Sequence, residues 1–201
     1  MKHIALFMAV LLLTLSFVSC RGNAGNGEET GADTTTEATT TEEVTTEAVT
    51  EDANAPEAGT FGATVYDDFR AIYSENSTAT AEELANLMIA TEHIPYMMVV
   101  MPIEAGVSYL NGFKDQDGDD PTTLITGYKE GAVFAPMIGV APFIGYIFTM
   151  EDGADVDAFV AGLKERADMR WNICTEADQM IVDVQGNQVL FVMCPISVNA
   201  E

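Results

Sequence analysis

The fold is decided by residues 180–194, which read MIVDVQGNQVLFVMC. Two runs of mostly apolar residues, 180–185 and 188–194, flank Gly186-Asn187, a dipeptide that favours a two-residue turn. The pattern predicts a β-hairpin near the end of the chain. Because both runs are apolar nearly throughout, we expect their sheet to be covered on much of both faces.

The segment before the hairpin predicts a strand and a long helix. Residues 143–150 are an apolar run of strand length, and the helix is expected from Asp155 to about Trp171. Its apolar positions share one face: Val156, Phe159, Val160, Leu163 and Ala167. The chain is therefore predicted to end in a strand, a helix and a hairpin.

Two more helices and another strand are predicted earlier in the chain. Residues 64–74 show helical spacing of apolar side chains, and a second helix begins at Thr80, which is placed to form a capping box with Glu83. The buried stripe of this second helix is expected to contain Leu84, Leu87 and Met88. Pro95 prevents further helix, and residues 97–101 form an apolar run of strand length.

Together these elements predict an α+β domain: an antiparallel sheet with a C-terminal strand-helix-hairpin unit, and helices packed on the sheet, on one face. Residues 106–128 show no readable pattern. The stretch between Glu130 and Glu151 carries no charge and is long enough to span a bilayer. Pro136, Pro142 and the glycines within it favour instead a loop followed by a core strand.

The beginning of the chain predicts a secretory signal. Lys2 supplies a positive charge, residues 4–18 are almost wholly apolar, and Cys20 follows. The ending Phe17-Val18-Ser19-Cys20 resembles a lipobox, in which the signal is cut before a lipid-modified cysteine, although leucine is usual at the place of Phe17. We expect residues 1–19 to be a lipoprotein signal peptide, and Cys20 to anchor the chain by its lipid to the extracytoplasmic face of a bacterial cell membrane. The alternative is an ordinary cleaved signal that contains a cysteine.

The remainder divides into a linker and a domain. Residues 20–59 are predicted to be a disordered linker rich in threonine and glutamate, because they contain no aromatic residue and few sizeable apolar ones. Residues 60–201 have an ordinary size for a single domain with one core. The formal net charge of the chain is −24. This charge argues against nucleic acid and anionic lipid headgroups as partners, since both would be repelled.

Four segments carry a resemblance to a known family. They are residues 136–139 (PMIG), 142–146 (PFIGY) and 170–177 (RWNICTEA), and Gly186-Asn187 followed by Val189, Phe191 and Met193. The last third of the chain resembles an uncharacterised family of Gram-positive bacterial lipoproteins that have a C-terminal domain of unknown function. The resemblance supports an extracytoplasmic location and the extent of the domain, and it implies no activity.

Few residues are candidates for chemistry. His93 is the one histidine after the signal, and a histidine near a helix end is more often structural than catalytic. Cys174 and Cys194 are candidate nucleophiles with His93 as a base, but nothing in their spacing supports this, and Cys194 lies in a core-like strand. The two alternatives for these cysteines are a disulfide, which persists outside the cytoplasm, and two buried thiols, which we favour.

The acidic loop at residues 115–120 is a candidate calcium site. It lacks the glycine and the glutamate that an EF-hand needs, since Asp120 and Thr126 occupy those places. A solvated turn is the simpler interpretation. Trp171 is either a ligand platform or, as we favour, a residue that closes the core. The chain has no nucleophile elbow, phosphate loop or dinucleotide-binding glycine pattern, and we predict no cofactor, metal or catalytic residue.

The leading functional hypothesis is a non-catalytic binding or interaction module that is held at the membrane by a lipid. Its ligand, a protein or a small molecule, is not identified by the sequence. The alternatives are a cell-envelope hydrolase or transferase with an unrecognised site, and a calcium-dependent surface domain. An enzyme should show a concave pocket that contains a perturbed titratable group.

Overall fold

The computed structural model describes residues 55–138 and 140–198. The predicted signal peptide, Cys20 and most of the predicted linker lie outside the described residues. The described helices are α1 (Phe61–Glu75), α2 (Ala81–Ile89) and α3 (Val156–Arg166). The described strands are β1 (Met98–Ile103), β2 (Tyr128–Pro136), β3 (Ile144–Met150), β4 (Gln179–Gln185) and β5 (Gln188–Cys194).

The strands form an antiparallel sheet in the order β1-β2-β3-β5-β4. β4 and β5 make the predicted hairpin around Gly186-Asn187. α3 connects β3 to β4, and β5 lies between those two strands, so β3 and β4 run parallel in a split β-α-β arrangement. The predicted α+β class and the C-terminal strand-helix-hairpin unit are confirmed. β1 and β4 are the two edges of the sheet.

Alternation along β5 divides the interior into two cores, one on each face of the sheet. Leu190, Val192 and Cys194 are buried against α1 and α2. Val189, Phe191 and Met193 are buried on the opposite face, with α3 and the segment between β1 and β2. The prediction that both faces are covered is confirmed. The prediction that the helices pack on one face is wrong, because α3 lies on the opposite face from α1 and α2.

The two N-terminal helices begin at local capping signals. Thr60 caps α1 by accepting a hydrogen bond from the Ala63 N–H, and the helix begins at Phe61, three residues before its expected start. α2 has the predicted capping box. The prediction that Leu87 is buried is wrong: its side chain is exposed beside the end of α1, because Ala81, Leu84, Ala85 and Met88 define the face that packs on the sheet.

The sequence interpretation was wrong about β2, because it predicted a loop where the structure has this strand. β2 pairs with both β1 and β3, and the uncharged stretch therefore contributes two strands to the sheet. Gly131 is needed because Ile103 packs over it, where a Cβ would come 2.9 Å from Ile103 Cγ1. Pro136 is tolerated because pairing with β3 ends at Phe134 and Gly145, so the ladder loses no donor there.

α3 ends earlier than predicted, at Arg166 and not near Trp171. The Arg166 carbonyl accepts a hydrogen bond from the Lys114 N–H at 2.7 Å, and the Asp168 N–H donates to the Gly112 carbonyl at 2.8 Å. Contacts with a distant loop therefore replace the helical bonds after Arg166. Of the predicted apolar face, Leu163 and Ala167 are buried, and the other three residues pack against the core while partly exposed.

No helix within residues 55–138 and 140–198 has the length and apolar character needed to cross a membrane.

Candidate functional site

Strand β1 presents an open backbone edge. The Met137 N–H donates to the Met97 carbonyl at 2.8 Å, which fixes the phase of hydrogen bonding between β1 and β2. In an antiparallel pair, alternate residues bond to the neighbouring strand. Val99, Met101 and Ile103 therefore bond to β2, and the backbone groups of Met98, Val100 and Pro102 point away from the sheet. Pro102 offers only a carbonyl, because proline has no N–H.

Apolar side chains surround this open edge. Met97 is 73% exposed and Met137, its hydrogen-bonded neighbour, is 62% exposed. The exposed apolar residues that lie around β1 are Met97, Val99, Met101, Tyr109 and Met137, and we call them the edge surface. Clusters of exposed apolar side chains of this kind mark interaction sites in soluble domains. Ile138 and Val140, which follow Met137 in the chain, are also exposed.

A groove of about 310 Å³ adjoins the edge surface on the α3 side of the sheet. Met101 and Tyr109 form part of its rim, and Val133, Ala135 and Tyr146 form part of its lining. The Tyr146 hydroxyl donates to the Asn111 carbonyl at 2.7 Å, and burial raises the pKa of Tyr146 far above its usual value. Tyr146 is therefore a neutral structural donor that holds the 104–111 segment over the sheet. The groove can accept an apolar side chain and has no arrangement for acid-base chemistry.

The charges nearest in sequence to the edge surface are acidic. Glu92 and Glu104 are exposed on either side of β1. Lysine and arginine do not occur in residues 92–113 or in residues 130–163, which supply the edge surface. A ligand that covers the apolar side chains therefore meets negative charge at Glu104, directly after the strand.

His93 and Asp68 form a second candidate site. His93 Nδ1 lies 2.9 Å from Asp68 Oδ2, and the histidine side chain is 58% exposed. His93, Thr64 and Ser197 help to line a cavity of about 270 Å³. An oriented histidine beside hydroxyl groups has the components of a general base. The separation of Asp68 and His93 in the sequence did not indicate this pair. The two residues meet only because α1 packs beside the loop that follows α2.

The cysteines are free in the described structure, Cys194 buried and Cys174 exposed. The expectation of two buried thiols is confirmed for Cys194 and wrong for Cys174. The pKa of Cys194 is raised to about 12, mainly by burial and to a lesser extent by the Asp178 carboxylate, while a hydrogen bond with Gln179 opposes both effects. Cys194 is therefore an inert core thiol at neutral pH. Cys174 is exposed in the loop that follows α3.

The acidic loop is organised by its own backbone. Asp117 accepts from the Asp119 N–H, and Asp120 accepts from the N–H and the hydroxyl of Thr122. These bonds to the Thr122 hydroxyl and N–H lower the pKa of Asp120. Within residues 55–138 and 140–198, no group of three or more histidine, cysteine or acidic side chains is placed to hold a metal ion. Trp171 is partly buried against the α3-side core, as expected for a residue that closes the core.

Comparison of the chain with protein-family models, with curated proteins and with solved structures found no match. The resemblance to a lipoprotein family therefore stays a prediction from the sequence.

The edge surface was not singled out from the sequence, although one signal was present. The 97–101 run was correctly predicted to be a strand. Pro102 immediately follows that run, and a proline inside a strand is confined to sheet edges and to positions that need no donor. Pro102 therefore indicated an edge strand, and an apolar edge strand is a potential docking site.

Proposed function

We propose that the protein is a lipid-anchored extracytoplasmic lipoprotein whose domain is a non-catalytic binding module, and that the edge surface is its binding site. The observation that carries the binding role is the exposed apolar cluster beside the open edge of β1. The adjoining groove gives this cluster a concave part, as ligand sites generally have. The anchoring role is supported by the signal-like N-terminus that ends at Cys20.

The binding role can be tested by photo-crosslinking on intact cells. A photoreactive amino acid placed at Val99 should form a specific adduct, because Val99 lies within the edge surface. The same amino acid at Ile173, which is 95% exposed in the loop after α3, is the matched control for random collisions. Equal labelling from both positions, or none from Val99, would contradict the proposal.

The anchoring role has a separate test. Cys20→Ala removes the only cysteine near the end of the signal-like segment, and the variant is expected to leave the membrane fraction. Two acyl chains on one cysteine give stable membrane attachment, so their loss should release most of the protein. Retention of Cys20→Ala in the membrane as firmly as the wild type would exclude lipid anchoring at this residue.

A second candidate function is hydrolysis or group transfer at the cell envelope, favoured by the Asp68–His93 pair beside its cavity. In that case Ser197 or Thr64 is the nucleophile and His93 the base. A fluorophosphonate probe should then label the folded chain at one of these hydroxyls, and His93→Gln should abolish the labelling. An unlabelled chain would leave the Asp68–His93 pair with a structural role.

A further inference from the structure

Resting on the proposed binding function of the edge surface, we infer that its ligand is an extended, basic polypeptide segment that adds a sixth strand to the sheet beside β1. Four features of the described residues support this class of ligand: the open backbone, the side-chain pattern, the local charge and the position of Pro102.

The backbone of β1 matches an incoming strand. Val100 presents both an N–H and a carbonyl to the open edge, Met98 does the same, and Pro102 presents a carbonyl. An extended peptide satisfies these groups with its own backbone, which is how strand addition at an exposed sheet edge obtains affinity. A compact small molecule would leave most of this row of groups unpaired.

The side chains of β1 define what the peptide must carry. Val99 and Met101 are exposed on the face that also bears the groove, whereas Met98 and Val100 are partly buried against the α1 and α2 core. A bound strand therefore has apolar side chains at alternate positions, on the same face as Val99 and Met101. Its intervening side chains lie on the other face.

The charge near β1 selects a basic peptide. Glu92 and Glu104 are exposed at the two ends of the segment that contains β1, and residues 92–113 contain no lysine or arginine. The chain as a whole has a formal net charge of −24. Lysine or arginine residues at the ends of the peptide would gain favourable interactions with this field, whereas acidic ones would be repelled.

Pro102 and the same charge disfavour a second copy of this chain as the occupant. An antiparallel pairing of two β1 strands that covers all the outward residues places Pro102 of each copy opposite Met98 of the other. Each proline lacks the N–H that this pairing needs, so a bond is lost at both ends. Two chains of net charge −24 would also repel each other.

The test uses the full mature chain in nanodiscs of neutral lipid and a synthetic peptide of alternating valine and threonine with lysines at both ends. Binding should protect the outward amide hydrogens of Met98 and Val100 from exchange, as measured by NMR. The Val99 and Met101 amides, which already bond to β2, are internal controls. Replacing the terminal lysines by glutamates should weaken binding by about tenfold at low salt.

Val100→Pro and N-methylation of the peptide each remove one inter-strand donor. Each should weaken binding by about fivefold, as expected for one net hydrogen bond. Should Val100→Pro reduce folding, the exchange measurement on the wild-type chain still decides the matter. Met101→Ser tests the apolar surface separately and should weaken binding without removing any backbone bond.

The outcomes separate this inference from the proposed function. Unprotected Met98 and Val100 amides, or equal binding of the N-methylated peptide, would overturn strand addition even if Met101→Ser weakens binding and Val99 still crosslinks on cells. Equal binding of the glutamate-ended peptide would overturn the basic ligand. A dimer in sedimentation that is broken by Met101→Ser would identify a second copy as the occupant and overturn the inference. Absence of a specific Val99 adduct on cells would instead contradict the proposed function.

Discussion

Cys174 and Cys194 show how position alone gives two thiols different reactivity. Cys194 is the last residue of β5 and is fully buried, with its pKa raised to about 12, while Cys174 is exposed. At about pH 8, an alkylating reagent should modify Cys174 in the folded chain and Cys194 only after denaturation, because the thiolate is the reactive form. Mass spectrometry of the labelled peptides makes the measurement. Modification of Cys194 at the rate of Cys174 would show that the end of β5 opens readily.

Two glycines that look alike in the sequence have opposite roles. Gly145 on β3 lies beneath the ring of Phe134, its cross-strand neighbour, and a methyl group there would collide with the ring. Gly145→Ala should therefore lower the free energy of unfolding by about 2–3 kcal/mol through overpacking. Gly162 on α3 has open space around it, so Gly162→Ala should raise that free energy by about 0.5–1 kcal/mol through helix propensity. Urea denaturation of both variants tests the contrast, and a similar effect from both would refute it.

Helix α2 depends on a hydrogen-bonded start. The Glu83 carboxylate accepts from the Thr80 N–H at 2.9 Å and from its hydroxyl at 3.1 Å, and these bonds lower the pKa of Glu83. Because the folded-state pKa is lower than the unfolded value, the ionised carboxylate stabilises the fold above its ordinary pKa of 4.5, and this contribution is lost as the pH falls through the folded-state value. The fully exposed site makes the effect small.

Glu83→Gln should therefore reduce the free energy of unfolding at neutral pH, and its difference from the wild type should shrink on acidification below 4.5. Glu82→Gln is the matched control, since it changes the same charge in the same helical turn outside the capping box. Urea unfolding across this pH range makes the comparison. A Glu83→Gln deficit that stays constant with pH would show that the carboxylate is not bound as a charged group.

The elements that sequence predicted well are those with local signals. The Thr80 and Glu83 spacing predicts α2, and Gly186-Asn187 predicts the β4–β5 hairpin. β2 was missed because Pro136 and Gly131 indicate a loop unless the neighbouring strands are known. The end of α3 is set by hydrogen bonds with a loop more than forty residues away, as the Arg166 side chain shows by donating to the Thr123 carbonyl.

The candidate site was predictable only in part, for the same reason. The 97–101 run predicts a strand from its own composition, and Pro102 marks an edge. Whether that edge is open depends on where β1 lies in the sheet, which only the long-range pairing with β2 decides. The neighbouring positions Tyr109 and Met137 come from two other segments of the chain, so no local pattern could group them with β1.

At the scale of the whole molecule, the two edges of the sheet differ in the features that limit pairing with another chain. β4 carries Asp183, which is 2% exposed and accepts hydrogen bonds from the Arg70 guanidinium of α1 at 2.9–3.2 Å. An inward-pointing charge on an edge strand discourages pairing with another chain. β1 has exposed apolar side chains and only Pro102 to limit pairing. This asymmetry favours β1 as the edge at which a partner docks.

The Arg70–Asp183 pair also joins the helical layer to the sheet. Arg70→Met should lower the free energy of unfolding by about 2–3 kcal/mol, because it leaves a buried carboxylate without its cation, and the partial exposure of Arg70 keeps the loss below that of a fully buried pair. In the Arg70→Met/Asp183→Asn double variant the loss should be smaller than the sum of the single losses. Thermal and urea unfolding of the four chains measure the coupling, and strict additivity would mean that the two side chains stabilise the fold independently.

The start of α1 and the segment after β5 contact each other in the folded domain. The Phe61 N–H at the start of α1 donates to the Ile196 carbonyl after β5 at 2.9 Å, and the Thr60 N–H and hydroxyl bond to the Glu57 carbonyl. Residues 21–54 have the composition of a chain that cannot bury enough apolar surface to offset its ordering entropy. They should therefore add length before the domain without adding stability to it.

Chains that begin at Arg21 and at Ala55 should consequently unfold at the same temperature. A chain that begins at Thr64 is the informative contrast, because it lacks the Thr60 cap, the buried Phe61 side chain and the bond to Ile196. Loss of a buried phenylalanine and of a helix cap should together remove at least about 3 kcal/mol. Calorimetry of the three chains tests the boundary. A lower unfolding temperature for the chain from Ala55 than for the chain from Arg21 would show that the acidic segment stabilises the domain and is more than a spacer.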